Sequence, residues 1–204
     1  METIRVWKLN HSNLFIDCDS GIGQELNEFF SFFVPGYKFM PAFRNRMWDG
    51  KIRLYSRSTN ELPAGLFYHL AEFAKKRGYI LDPKSSAYGD PNERIRINPS
   101  DLRLFVDSIN LPFDIRPYQF DCVGEAITRK RAILLSPTGS GKSLIIYTLL
   151  RWYLESYDKK ILIIVPTTSL VEQMYSDFAQ YGYNVETNVH RIYSGKDKTT
   201  EKRI

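Results

Sequence analysis

Eight consecutive residues, Ser136-Pro137-Thr138-Gly139-Ser140-Gly141-Lys142-Ser143, have the types and spacing that grip a polyphosphate. Gly139 and Gly141 let the backbone wrap close to phosphate oxygens, where a Cβ would block the approach. Pro137, Thr138 and Ser140 complete a loop whose N–H groups face the ligand, and a following helix N-terminus adds fixed partial positive charge. Lys142 sets a mobile ammonium on the β and γ phosphates, and the Ser143 hydroxyl suits Mg²⁺ ligation. Lys142 and Ser143 are therefore the expected catalytic pair, with ATP and Mg²⁺ as cofactors. Ser136 stands where the stricter pattern asks for glycine. The plain alternative is a glycine-containing turn that binds nothing.

Such a loop works only between a strand and a helix. The apolar run at residues 132–135 predicts the strand, and the run at 144–150 predicts the helix. From Phe113 onward the pattern alternates between helix and strand. A helix over 117–129 should carry Tyr118, Cys122, Ala126 and Ile127 inward. Residues 161–165, Ile-Leu-Ile-Ile-Val, read as a strand covered on both faces of a parallel sheet. Leu170, Val171, Met174 and Phe178 then form the stripe of another helix. These are the opening elements of a doubly wound α/β domain.

The first part of the chain has another texture. Residues 4–9 and 14–17 predict strands, and Leu26, Phe29, Phe30 and Phe33 fall on one helical stripe. A strand over 37–40 and a hairpin turn at Asp49-Gly50 should follow. Beyond the turn, Ile52 and Leu54 alternate with Lys51, Arg53 and Tyr55, which predicts one apolar face and one basic, aromatic face. A helix carrying Leu66, Phe67, Leu70, Phe73 and Ala74 ends at Gly78, and a strand at 79–81 closes the module. The expected organisation is a small α+β domain over 1–83, a linker over 84–98 and a P-loop domain over 99–204. The fold class is α/β.

Around the expected hairpin, Arg44, Arg46, Lys51, Arg53 and Arg57 are interleaved with Trp48 and Tyr55. Cations that meet phosphates, beside rings that stack on bases, are what nucleic-acid binding needs. A solvated basic face with its rings in the core is the competing account, and Trp48 taken singly suits the core better. Lys75, Lys76 and Arg77 are explained by the dipole of their helix's last turn.

Composition bounds the rest. A net charge of +5 suits a polyanionic partner without requiring one. Cys18 and Cys122 lie far apart in apolar segments and read as buried thiols of a reducing, cytoplasmic compartment. His11, His69 and His190 lack metal-ligand spacing. No run is long and apolar enough for a membrane helix, so a membrane is not an expected partner.

Arg116-Pro117-Tyr118-Gln119, the phosphate loop and Pro166-Thr167-Thr168-Ser169-Leu170-Val171-Glu172-Gln173 together resemble the Q motif, motif I and motif Ia of superfamily 2 helicases. That family commonly has Ser at the position of Ser136. Phe43-Arg44-Asn45-Arg46-Met47-Trp48-Asp49-Gly50-Lys51-Ile52-Arg53-Leu54 narrows the resemblance to the UvsW helicase family of tailed phages, across essentially the whole chain. The resemblance implies a RecA-like motor domain after residue 98. It implies that Gln119 pairs with the adenine edge, that Arg116 covers the base face, and that Pro166, Thr167, Thr168 and Gln173 meet a nucleic-acid backbone. Thr168 also suits the N-cap of its helix, and Gln119 without its companions would be an ordinary exposed helix glutamine. The family's Asp–Glu motif, which holds Mg²⁺ and activates water, does not follow Gln173, and no second motor domain appears. The expected whole is a longer enzyme of which these residues form the N-terminal portion, with little ATP hydrolysis of their own.

The activity implied is an ATP-driven DNA helicase or translocase on branched or duplex DNA, RNA–DNA hybrids included, in recombination, repair, replication-fork or R-loop processing. Arg44, Arg46, Trp48, Lys51 and Arg53 would contact the nucleic acid, the enzyme would be monomeric, and a phage protein would act in the host cytoplasm. The alternative is a nucleic-acid-binding module with a non-hydrolysing ATP loop. A small-molecule kinase fits poorly, because the two flanking motifs have no role in it.

Overall fold

Alternation at the start of the chain builds a sheet with one dry face. In the computed structural model, which describes residues 2–204, Thr3–Lys8 (β1) pairs antiparallel with Asn13–Asp17 (β2), Val6 opposite Ile16. Ile4, Val6, Leu14 and Ile16 are wholly buried, while Arg5 and Asp17 form an exposed ion pair on the other face. Helix α1 (Ser20–Phe29) contributes Ile22 and Leu26 to the core. Short strands β3 (Ser31–Phe33) and β4 (Lys51–Arg53) form a separate antiparallel ribbon that encloses helix α2 (Pro41–Arg44). Strand β5 (Glu61–Pro63), helix α3 (Phe67–Arg77) and strand β6 (Ile80–Pro83) complete a sheet of order β5-β2-β1-β6, with β6 parallel to β1. Helix α3 lays Phe67, Leu70 and Phe73 onto the same core, and Gly78 ends it with φ of +74°. Each such fully buried side chain contributes about 1.5–3 kcal/mol.

Several expectations fail around the ribbon, for local reasons. The stripe Leu26, Phe29, Phe30, Phe33 does not continue as helix, because α1 stops at Phe29 and Phe33 pairs with Lys51 in β3. The Ser31 hydroxyl bonds the Asn27 carbonyl at the helix end, a competing donor for a chain about to turn. Residues 37–40 are no strand. Gly36, at φ +73°, starts a single 3₁₀ turn over Tyr37–Phe39, and Pro41 then opens α2. Asp49-Gly50 is no hairpin turn either, since the partner of β4 is β3, across the long loop 34–50. Gly50 closes that loop by accepting the Val34 N–H at 2.9 Å, and a Cβ there would enter the Tyr37 ring. Tyr55 leaves the basic face for the core; burial pushes its phenol pKa up to about 12. Ile52 is exposed instead. Strand β5 escaped the sequence pattern because it has only three residues and ends in proline.

The chain divides into two compact units between Glu93 and Arg94. The second is built from helices α4 (Pro99–Ser108), α5 (Pro117–Arg129), α6 (Lys142–Ser156), α7 (Thr168–Gln180) and α8 (Val185–Asn188). Helix α6 joins two cores: Ile145 packs with Leu102, Val106, Val123 and Ile127, and Tyr147 and Leu150 pack with Phe178 and Val185. The inward stripe of α5 is Gln119, Val123 and Ile127, so Tyr118 is turned outward. Cys18 and Cys122 are half-buried free thiols.

Residues 132–135 and 161–165 do not form the two expected strands: neither has a ladder partner among the described residues. In the second run Ile161, Ile163 and Val165 are half-buried while Leu162 and Ile164 point to solvent. The alternation fits a pleat, but a parallel strand exists only through a neighbour distant in sequence, and these two runs are not each other's neighbour. Ile133 and Leu135 are accordingly 90% and 93% exposed. No helix among the described residues is long and apolar enough to cross a membrane.

Candidate nucleotide and nucleic-acid sites

The phosphate loop leads directly into α6. Gly141 is the residue before the helix, at φ +76°, and Gly139 sits at φ +81°. A Cβ on Gly139 would meet open space, so that position demands only the left-handed backbone. A Cβ on Gly141 would strike the Gln119 amide nitrogen, so that position demands both conformation and room. The Ser140 hydroxyl donates to the Pro137 carbonyl at 2.8 Å and touches the Ser136 hydroxyl. Ser136 thus ties one limb of the loop to the other, a bond glycine cannot make. Lys142 Nζ donates to the Ser136 and Pro137 carbonyls at 3.1 and 2.7 Å. Phosphate oxygens are stronger acceptors than neutral carbonyls, so the ammonium has reason to exchange. The Ser143 hydroxyl, in the first turn of α6, has no hydrogen-bond partner among the described residues, and such a free oxygen fits a Mg²⁺ ligand.

Helix α5 presses its first turn against this loop. Gln119 is only 4% exposed, which removes the reading of an ordinary surface glutamine. Its Oε1 accepts the Arg116 backbone N–H at 2.9 Å, one half of a capping box, and its Nε2 donates to the Ser140 carbonyl at 2.9 Å. Tyr118, 42% exposed, donates its hydroxyl to the same carbonyl at 2.8 Å and accepts from Arg116 Nη1 at 3.2 Å. Sequence reasoning assigned Tyr118 to the core and missed this bond. The capping box is the signal that would have found it, because Gln119 looking back over the first turn rotates Tyr118 outward.

Pro166, Thr167, Thr168 and Gln173 are all exposed at or near the start of α7. The N-cap is Thr167, whose hydroxyl accepts the Leu170 N–H at 3.3 Å; Thr168 is the first helical residue. Beside them Glu172 accepts from the Tyr193 hydroxyl at 2.6 Å and from Arg191. Those bonds, the phenol's first, hold its carboxyl below the usual range. Arg191 also lies 4.0 Å from the Tyr175 ring centre. Nothing in the spacing had singled out Arg191 or Tyr193.

In the first unit the ribbon gathers most of the predicted cations and disperses others. Arg44 and Arg46 flank the end of α2, and neither has an ion-pair partner among the described residues. Trp48 is half-buried and donates its indole N–H to the Lys51 carbonyl at 2.8 Å. The Lys51 ammonium lies 4.9 Å from the Phe33 ring centre. Arg53 is paired with Asp49, and that guanidinium, with the Lys51 N–H, lowers the Asp49 carboxyl to about 2. Arg57 is drawn away to Gln24 on α1.

Two family profiles match the chain: one described as "DNA helicase UvsW, N-terminal" over residues 3–84, and one described as "Type III restriction enzyme, res subunit" over residues 112–204. The chain is 40% identical to the ATP-dependent DNA helicase uvsW of Enterobacteria phage T4, across 96% of this chain and 39% of that protein. It superposes with a TM-score of 0.82 on a crystal structure of the UvsW helicase from Bacteriophage T4, at 37% identity, over 96% of this chain and 70% of the other. A second crystal structure of T4 UvsW gives the same TM-score with 40% of that chain covered. The chain therefore spans 39% of the length of its curated relative. The mixed α/β fold, with a small sheet ahead of a RecA-like portion, is the fold of these relatives.

Proposed function

The chain belongs to the UvsW helicase family, and from that premise we propose that it carries the nucleotide-gripping and DNA-gripping elements of an ATP-dependent DNA helicase or translocase. We assign residues 1–83 to DNA binding, 84–98 to a connection and 99–204 to the first part of the motor. The observation that carries the reading is the Ser140 carbonyl, which receives the Gln119 amide and the Tyr118 hydroxyl together. The segment that would read adenine is bonded to the segment that would hold its phosphates. Gln119 retains one N–H and one lone pair, enough for the adenine N7 and N6 edge. Arg116 covers the base face, Pro137 shapes the loop, Thr138, Gly139, Ser140 and Gly141 wrap the phosphates with backbone N–H groups, and Lys142 neutralises them. Ser143 would ligate Mg²⁺, which when bound offsets charge on the β and γ phosphates.

DNA is the partner, branched or duplex, with RNA–DNA hybrids in the same class. Arg44, Arg46, Trp48, Lys51 and Arg53 bind it in the first unit, and Pro166, Thr167, Thr168 and Gln173 bind its backbone in the second. The protein acts as a monomer, in the host cytoplasm if phage-encoded. Calorimetric titration with Mg·ATP tests the nucleotide half: heat of binding is expected, lost in Lys142→Ala. No heat from the unaltered chain would overturn it.

A further inference from the structure

In the first unit lies a cleft of about 600 Å³, lined by Lys38, Phe43, Arg44, Arg46, Met47, Trp48 and Asp49. Its volume falls within the range of small-ligand sites, and it is open to solvent, as a strand passing across it would require. The one acid at its rim, Asp49, is held by Arg53 and does not neutralise the cleft's own cations. Trp48 is fixed through its indole N–H to Lys51 rather than sunk in the core, and Phe43 meets the Tyr37 ring edge-on, at 4.8 Å between ring centres. Met47, in the cleft lining, is 74% exposed, and Phe39, next to Lys38 in sequence, is 82% exposed. Large apolar groups held this far into water beside free guanidinium groups are poorly explained by folding alone.

The backbone carries an independent sign. Helix α2 ends in a Schellman motif: the Met47 N–H reaches the Ala42 carbonyl and the Arg46 N–H reaches that of Phe43. The motif's left-handed position is filled by Arg46, at φ +58°, where glycine is favoured. A strained arginine at the edge of a cleft points toward function.

We infer that this cleft seats a single unpaired nucleotide of a DNA strand, its base against Trp48, Phe43 and Met47 and its flanking phosphates on Lys38, Arg44 and Arg46. Paired bases inside a duplex offer no free ring face, whereas an unpaired base stacks on aromatic side chains. The cleft therefore distinguishes a branch or gap from continuous duplex. This deepens the DNA reading above and rests on it.

The test compares the 204-residue chain bound to a forked DNA carrying 2-aminopurine at the unpaired position with the same chain bound to a blunt duplex of equal length. The expected result is quenched 2-aminopurine fluorescence and an affinity for the fork about tenfold above that for the duplex. Trp48→Leu and, separately, Met47→Ala should each shrink that ratio and restore fluorescence. Met47 is so exposed that its variant folds even if loss of the indole bond disturbs the ribbon. Equal binding of fork and duplex by the unaltered chain, or quenching that survives both variants, would overturn the cleft assignment while leaving DNA binding intact. No binding to either DNA would overturn the DNA reading itself.

Discussion

The Gln119 side-chain amide donates to the Ser140 carbonyl at 2.9 Å, and the same carbonyl accepts the Tyr118 hydroxyl at 2.8 Å. Two donors from the first turn of α5 thus converge on one peptide of the phosphate loop. Whatever moves the first turn of α5 moves the loop with it.

Removing the amide should therefore weaken more than base selection. Gln119→Ala is expected to lower Mg·ATP affinity about tenfold, since it deletes two part-buried hydrogen bonds worth roughly 0.5–1.5 kcal/mol each. Gln119→Glu should do worse, because an acceptor-only carboxylate would face the Ser140 carbonyl. Tyr118→Phe removes two exposed hydrogen bonds, to the Ser140 carbonyl and from Arg116, and should cost about threefold and affect ATP and GTP alike. Isothermal titration with each nucleotide checks all three; a Tyr118→Phe variant that discriminates between the two would contradict the loop-holding role.

The loop glycines should respond unequally. Gly139→Ala carries only the left-handed backbone strain of about 1–2 kcal/mol. Gly141→Ala carries the same strain and also displaces the Gln119 amide. Nucleotide affinity should fall distinctly further in the second variant, and the gap should close in a Gln119→Ala background.

Salt dependence separates the arginines of the ribbon. Arg44 and Arg46 have no carboxylate partner among the described residues, while Arg53 already has Asp49. Arg44→Ala with Arg46→Ala should reduce the slope of log affinity against log salt by about two, at roughly 0.9 for each phosphate no longer neutralised. Arg44→Ala with Arg53→Ala should reduce it by less. Fluorescence anisotropy across a salt series decides, and equal slopes in the two double variants would remove the distinction.

Asp49 offers a pH test. Its folded pKa, about 2, lies below the unfolded value of about 3.9, so the pair's contribution is complete above about pH 4 and lost as pH falls through 2. An NMR titration of the Asp49 carboxyl should give that low midpoint, and Arg53→Ala should return it toward about 3.9. A normal midpoint in the unaltered chain would mean that Arg53 is free to meet phosphate.

The conformation of the candidate phosphate loop was legible because its signal is contiguous: Gly139 and Gly141 take the left-handed backbone expected of them, and α6 begins at Lys142. Gln119 became meaningful through burial, which no single helix position announces. Asp49-Gly50 misled because the dipeptide is a hairpin signal only when its flanks pair with each other, and β4 pairs instead with β3. Phe33 misled for a related reason: an aromatic serves a helical stripe or a strand equally well, and its partner, Lys51, lies far along the chain. Residues 132–135 and 161–165 were read correctly for their apolar character and wrongly for their ladder, because pairing is a property of neighbours and not of the segment.

The half-covered run Ile161-Leu162-Ile163-Ile164-Val165 has a consequence for how the protein behaves in concentrated solution. Five branched, uncharged residues in a row, with no sheet partner among the described residues, match the composition from which fibrils nucleate. Lys159 and Lys160 before it and Pro166 after it act as gatekeepers, supplying charge repulsion at one end and a missing donor at the other. Replacing those three side chains with apolar ones is therefore expected to promote self-templating.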